Sequence, residues 1–113
     1  MWHVKAIGAA LAAGAVMALA PTASVPDAAP RSEKAEIEAG EAVYNNYCQN
    51  CHGDRLVNTG QAFDLRRLTT GDRDRFISSV RNGKNQMPPW KDLLTDQEIE
   101  QVWRYIRANA YQK

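Results

Sequence analysis

Two cysteines, a histidine and a methionine carry the chemistry legible in this 113-residue sequence. Cys48-Gln49-Asn50-Cys51-His52 spaces two thiols three residues apart and sets an imidazole directly after the second. This is the C-x-x-C-H pattern of covalent haem attachment. Two cysteines so spaced at a helix end can each add to one vinyl group of a haem, and both thiols are consumed as thioethers. The adjacent histidine then falls beneath the iron as an axial ligand. Three other chemistries use parts of the same set. A C-x-x-C pair can be a thioredoxin-like dithiol, but that fold needs a βαβ context, and no such pattern surrounds it. Zinc takes four ligands, so two Cys and one His leave one missing unless a carboxylate joins. A structural disulfide suits an exported protein, yet it accounts for neither His52 nor the small core.

Met87 stands 35 residues after His52, inside Asn85-Gln86-Met87-Pro88-Pro89-Trp90. Proline disfavours α conformation in the residue before it, so Met87 should lie on an extended loop able to aim its thioether at a fixed target. The expected target is the opposite face of the iron; the alternative is a methionine filling an apolar gap. His/Met ligation raises the reduction potential, and an iron with both axial positions filled has no open site for oxygen or peroxide. One-electron transfer is therefore expected rather than catalysis, with no catalytic residues. The rival from another class is a haem enzyme or gas-binding sensor with a labile sixth ligand. The haem propionates would need donors, for which Arg66, Arg67 and Trp90 are the candidates. Either arginine could equally solvate the surface. Lys84, Lys91 and Arg81 flank the methionine loop and could steer the protein toward an acidic partner.

Three helices are legible as the elements that hold these groups. Ile37, Gly40, Val43, Tyr44 and Tyr47 recur at spacings of three and four, forming one face that leads into the Cys48 motif. A middle helix is expected from about Gly71 to Arg81, with Asn82-Gly83 as its stop. Thr95-Asp96-Gln97-Glu98 is a capping box, and Ile99, Val102, Trp103, Ile106 and Ala110 follow as one stripe. No stretch alternates with period two for long enough to make a strand, so the expected class is all-α. The ordered part, near 75 residues, is of a size at which a side-chain core is marginal and an added group is expected to fill it.

Lys and Arg number 14 against 13 Asp and Glu, so the net charge of +1 argues against nucleic acid as a partner. Trp2, His3 and Lys5 precede an apolar run from Ala6 to Ala20, which reads as a secretory signal peptide over 1–24; an uncleaved anchor is the alternative. A flexible leader is expected over 25–35, followed by the haem domain over 36–113. Cleavage after Ser24 would leave His52 and Met87 as the one histidine and the one methionine of the mature chain. Export agrees with haem attachment, which occurs outside the bacterial cytoplasm.

Gly40 and Tyr44 ahead of Cys48-x-x-Cys51-His52-Gly53, then Asn82-Gly83, Met87-Pro88-Pro89-Trp90 and a terminal helix with Val102, Tyr105 and Ile106, together resemble a small bacterial class I cytochrome c. The resemblance covers nearly all of residues 37–111. It implies a cytochrome c fold: three to four helices wrapped around one covalent haem c, with the first and last helices crossing. Gly40 would allow their close approach, and Tyr44 would pack near Val102 and Tyr105. It also implies a monomeric periplasmic carrier with a redox-protein donor and an oxidase or another cytochrome as acceptor. The Met-Pro-Pro-Trp segment and the Gly60-to-Leu65 loop most resemble the cytochromes that serve quinoprotein alcohol dehydrogenases in the respiratory chain. One departure stands out. Many members have a proline after the haem motif, near the carbonyl that accepts the ligand histidine's hydrogen bond. Here Phe63 occupies that place, and the acceptor for His52 Nδ1 is unassigned.

Overall fold

The computed structural model describes Gly8, Ala10, residues 12–17 and residues 31–113. Most of the expected signal, and the leader as far as residue 30, lie outside the described residues. The ordered chain forms α1 (Glu33–Tyr47), α2 (Gln49–His52), α3 (Arg73–Asn82) and α4 (Asp96–Asn109), with single 3-10 turns at Asp54–Leu56, Leu65–Arg67 and Thr70–Asp72. Among the described residues there is no β-strand, only an isolated bridge between Lys84 and Met87. No helix among them is long and apolar enough to cross a membrane.

Each long helix starts at a polar cap. Ser32 Oγ accepts the Ala35 N–H at 3.2 Å, with Glu33 and Glu36 in the first turn complementing the positive helix end. Helix α1 therefore begins at Glu33, with its cap upstream of the apolar face that marks the helix in the sequence. At α4 the capping box forms: Thr95 Oγ1 accepts from Glu98 N at 3.1 Å, and Glu98 Oε1 accepts from Thr95 N at 3.0 Å. A second box, Thr69 with Asp72, leads into α3 through the preceding 3-10 turn, so the regular helix starts at Arg73 rather than Gly71.

Helices α1 and α4 make the most extensive contact between elements. The contact is close because of Gly40, where a Cβ would come within 1.8 Å of the Gln101 carbonyl oxygen. The Tyr44 and Tyr105 rings meet at 5.4 Å beside it, and Ile99 and Ile106 are fully buried. Phe76 of α3 packs on Trp103 of α4 at 5.2 Å between ring centroids. The expected apolar stripe of α4, from Ile99 through Ala110, is buried throughout. Burying five such side chains stabilises the fold by about 1.5–3 kcal/mol for each large one. Beyond α4, Tyr111 fastens to the Leu65–Arg67 turn: its N–H donates to the Arg66 carbonyl at 2.9 Å and its hydroxyl to Asp64 Oδ2 at 3.1 Å.

Candidate haem site

Cys48 is at once the C-cap of α1 and the N-cap of the short α2. Its N–H donates to the Tyr44 carbonyl at 2.8 Å, and its own carbonyl accepts from His52 N at 3.0 Å. One helical turn thus carries both thiols and the imidazole. The chain then bends sharply at Gly53, whose φ of 94° and clearance of 1.8 Å to the Val57 carbonyl oxygen admit no side chain. Tyr44 ties this bend back to α1 by donating its hydroxyl to the Gly53 carbonyl at 2.5 Å.

His52 Nδ1 lies 3.1 Å from the Phe63 carbonyl oxygen. A carbonyl can only accept, so Nδ1 carries the proton and Nε2 is left as the nitrogen able to bind a metal. Phe63 thereby fills the acceptor role that the sequence left unassigned. Burial holds the imidazole below its ordinary pKa, with the Phe63 hydrogen bond opposing, and favours the neutral form that ligates metal. Burial also pushes the Cys48 thiol up to about 11, with Cys51 adding to the effect. A dithiol oxidoreductase needs the reverse, a thiol lowered into thiolate. Both cysteines are free, and among the described residues no further Cys, His, Asp or Glu joins them in a metal-holding cluster of three.

Met87 is held by a two-residue turn. Lys84 and Met87 exchange backbone hydrogen bonds of 3.0 Å in both directions around Asn85 and Gln86, with Asn85 at φ 53°. Gly83, at φ 79°, lies beneath this turn; a Cβ there would come within 2.9 Å of the Met87 carbonyl oxygen and the Pro89 nitrogen. Past Met87 the chain returns to α3: Trp90 N donates to the Val80 carbonyl at 2.9 Å and Lys91 N to that of Arg81 at 3.3 Å. The Met87 segment is therefore extended, as the following proline requires, and secured on both sides.

These groups border one cavity of about 880 Å3, whose lining includes Cys48, Cys51, His52, Met87 and Trp90. That volume falls in the range of roughly 300–1,000 Å3 typical of cofactor sites. Trp90 also meets Tyr47 edge-on at 5.7 Å. Arg66 and Arg67, the expected propionate donors, do not line it. Arg66 Nε donates to the Asn109 carbonyl at 2.8 Å and its guanidinium stacks on Tyr111 at 4.5 Å, while Arg67 borders a separate small cleft. The Arg66 side chain is thus turned toward the C-terminal segment, an orientation set by tertiary contacts. The cations on the cavity lining are Arg75 and Lys84. The spacing of Asp72 and Arg75 by three residues was the available signal for the first of these. Of the three cations flanking the methionine loop, Arg81 is paired with Asp96.

A family model described as cytochrome c oxidase, cbb3-type, subunit III matches residues 35–106. The chain belongs to the cytochrome c family. This small class I cytochrome is 38% identical over 86 residues to cytochrome c6 of Rippkaea orientalis, spanning 72% of this chain and 78% of that one. It is 31% identical over 105 residues to quinohemoprotein alcohol dehydrogenase ADH-IIG of Pseudomonas putida, spanning 82% of this chain but 15% of the dehydrogenase. The solved structure of that dehydrogenase superposes with a TM-score of 0.65 at 33% identity, over 74% of the cytochrome and 12% of the larger chain. The cytochrome thus matches a small part of the dehydrogenase. Its fold is the all-α cytochrome c fold, and its cofactor is one covalent haem c. The residues present fit that group: two thiols on one turn, an imidazole with Nε2 unspent, and a thioether on the lining of a cavity of suitable size.

Proposed function

We propose that Cys48 and Cys51 carry the haem as thioethers, that His52 and Met87 are its axial ligands, and that the chain is a non-enzymatic periplasmic carrier exported by a signal peptide over 1–24. When bound, the haem supplies one iron that cycles between Fe(II) and Fe(III). The protein's part is to fix both ligands. Phe63 orients the imidazole through Nδ1, and the Gly83 seat with the return to Val80 holds the thioether. The doubly secured Met87 is the observation that carries the reading, and it weighs against the enzyme or gas-sensor alternative, in which the sixth ligand must leave. The likeness to part of a quinohemoprotein alcohol dehydrogenase supports a quinoprotein alcohol dehydrogenase as donor. An oxidase or a second cytochrome of the respiratory chain would be the acceptor.

Optical spectroscopy of the matured protein tests the ligation. The oxidised wild type should show the weak far-red sulfur-to-iron band, and Met87→Ala should lose it while keeping its haem on a denaturing gel. The variant's potential should fall by more than about 59 mV, tenfold in the oxidised-to-reduced ratio. A five-coordinate, high-spin wild type would overturn the carrier reading. Stopped-flow mixing with a reduced quinoprotein alcohol dehydrogenase lacking its own haem domain tests the donor, and absence of rapid, salt-dependent haem reduction would refute it.

A further inference from the structure

The charged or titratable side chains on the cavity lining are Tyr47, Cys48, Cys51 and His52 from the α1–α2 junction, Arg75 from α3, and Lys84 from the methionine turn. The haem-ligand set leaves the two cations unused. Arg75 shares its face of α3 with Ser79, one turn on and also on the lining, and with the buried Phe76 and Val80. Its Nη2 donates to Asp72 Oδ1 at 3.0 Å. The other Asp72 oxygen accepts from Thr69 N at 2.8 Å and Thr69 Oγ1 at 3.1 Å. Those hydrogen bonds hold the Asp72 carboxyl below its usual range, with the charges of Arg75 and Arg107 assisting, so the tether stays ionised. A guanidinium offers five N–H donors in a planar fork, and only one is spent here. A haem brings two carboxylates into a cavity lined largely by apolar groups, where unmet charge is costly.

We propose that Arg75, tethered by Asp72, is the binding residue for one haem propionate, the N–H groups not spent on Asp72 being available to it, and that Lys84 supplies the second cation at the cavity mouth. This rests on the cavity being the haem seat. Arg75 thereby takes the role expected of Arg66 or Arg67, of which the first is bound to the C-terminal segment and the second borders the separate cleft.

Spectroelectrochemical titration of matured wild type, Arg75→Gln, Arg75→Lys and an Arg66→Gln/Arg67→Gln double variant tests the assignment. Haem staining and the sulfur-to-iron band of the wild type report the seat itself, and their absence would refute the haem-seat reading rather than Arg75. With both present, the wild-type potential should stay flat between about pH 5 and pH 8, because a paired propionate remains ionised in both oxidation states. Arg75→Gln removes a positive charge that favours the reduced iron. It should move the oxidised-to-reduced ratio roughly tenfold toward oxidised, ~59 mV, and make the potential fall with rising pH. Arg75→Lys should lie near wild type, and the double variant should match it. A wild-type profile in Arg75→Gln, or the shift appearing in the double variant instead, would overturn the proposal. If Arg75→Gln does not accumulate, the Arg66→Gln/Arg67→Gln double variant decides: a pH-independent potential at the wild-type value supports the pairing with Arg75, and a pH-dependent one overturns it.

Discussion

Gly83 and Tyr44 show how single residues outside the candidate ligand set govern the placement of its members. At Gly83 the backbone has φ 79°, and the space a Cβ would fill holds the Met87 carbonyl and the Pro89 nitrogen. Gly83→Ala should therefore cost about 1–2 kcal/mol from the left-handed conformation alone, and displace the turn that presents the thioether. A thermal melt should fall by about 4–8 °C per kcal/mol, with the sulfur-to-iron band weakened in the same sample. Tyr44→Phe removes the buried donor that holds the Gly53 carbonyl at 2.5 Å. Denaturant titration should show a loss of about 1–3 kcal/mol, the cost of leaving that carbonyl unsatisfied, with the band retained. Residues at this scale were unevenly legible. Cys48, Cys51, His52 and Met87 announce themselves by type and spacing, and all four border one cavity. Arg66 and Arg67 do not; the direction of Arg66 is set by Asn109 and Tyr111, more than forty residues away.

Helices α1 and α4 form the frame against which the turn carrying Cys48, Cys51 and His52 is held, and Gly40 is a point of close approach between them. A methyl group there would meet the Gln101 carbonyl at 1.8 Å, so Gly40→Ala must force the two helices apart. Guanidinium unfolding of the haem protein should reveal a loss of at least about 1–3 kcal/mol, with lower haem recovery after maturation. Both helix faces could be read from periodicity, as could the capping box at Thr95, because those signals are local. The start of α1 at Glu33 and the 3-10 entry to α3 lay outside the apolar pattern. Their caps, Ser32 and Thr69 with Asp72, are polar and fall before the first periodic residue.

At the scale of the whole molecule, the cavity sets the stability. Without the haem, the apolar side chains around this cavity of about 880 Å3, Leu68, Phe76, Val80, Leu94, Ile99 and Val102 among them, would stand open to water, and a domain held together by only about 5–15 kcal/mol has little to set against that loss. Protein made without the maturation machinery should therefore lose this arrangement, with far-UV circular dichroism showing most helical signal gone and no cooperative melt. A helical, cooperatively melting apoprotein would contradict the expectation. The need for such a filler was visible in the size of the chain, whereas its shape was not, since it depends on three segments meeting.

The partner of His52 Nδ1 is a main-chain oxygen, and the Phe63 ring that belongs to it is 53% exposed. Because a peptide group supplies the contact, no exchange of side chain at that position can delete it. The side chain at this position, which borders the cavity, can therefore be exchanged while the imidazole stays oriented. Main chain and side chain of one residue thus answer to separate constraints.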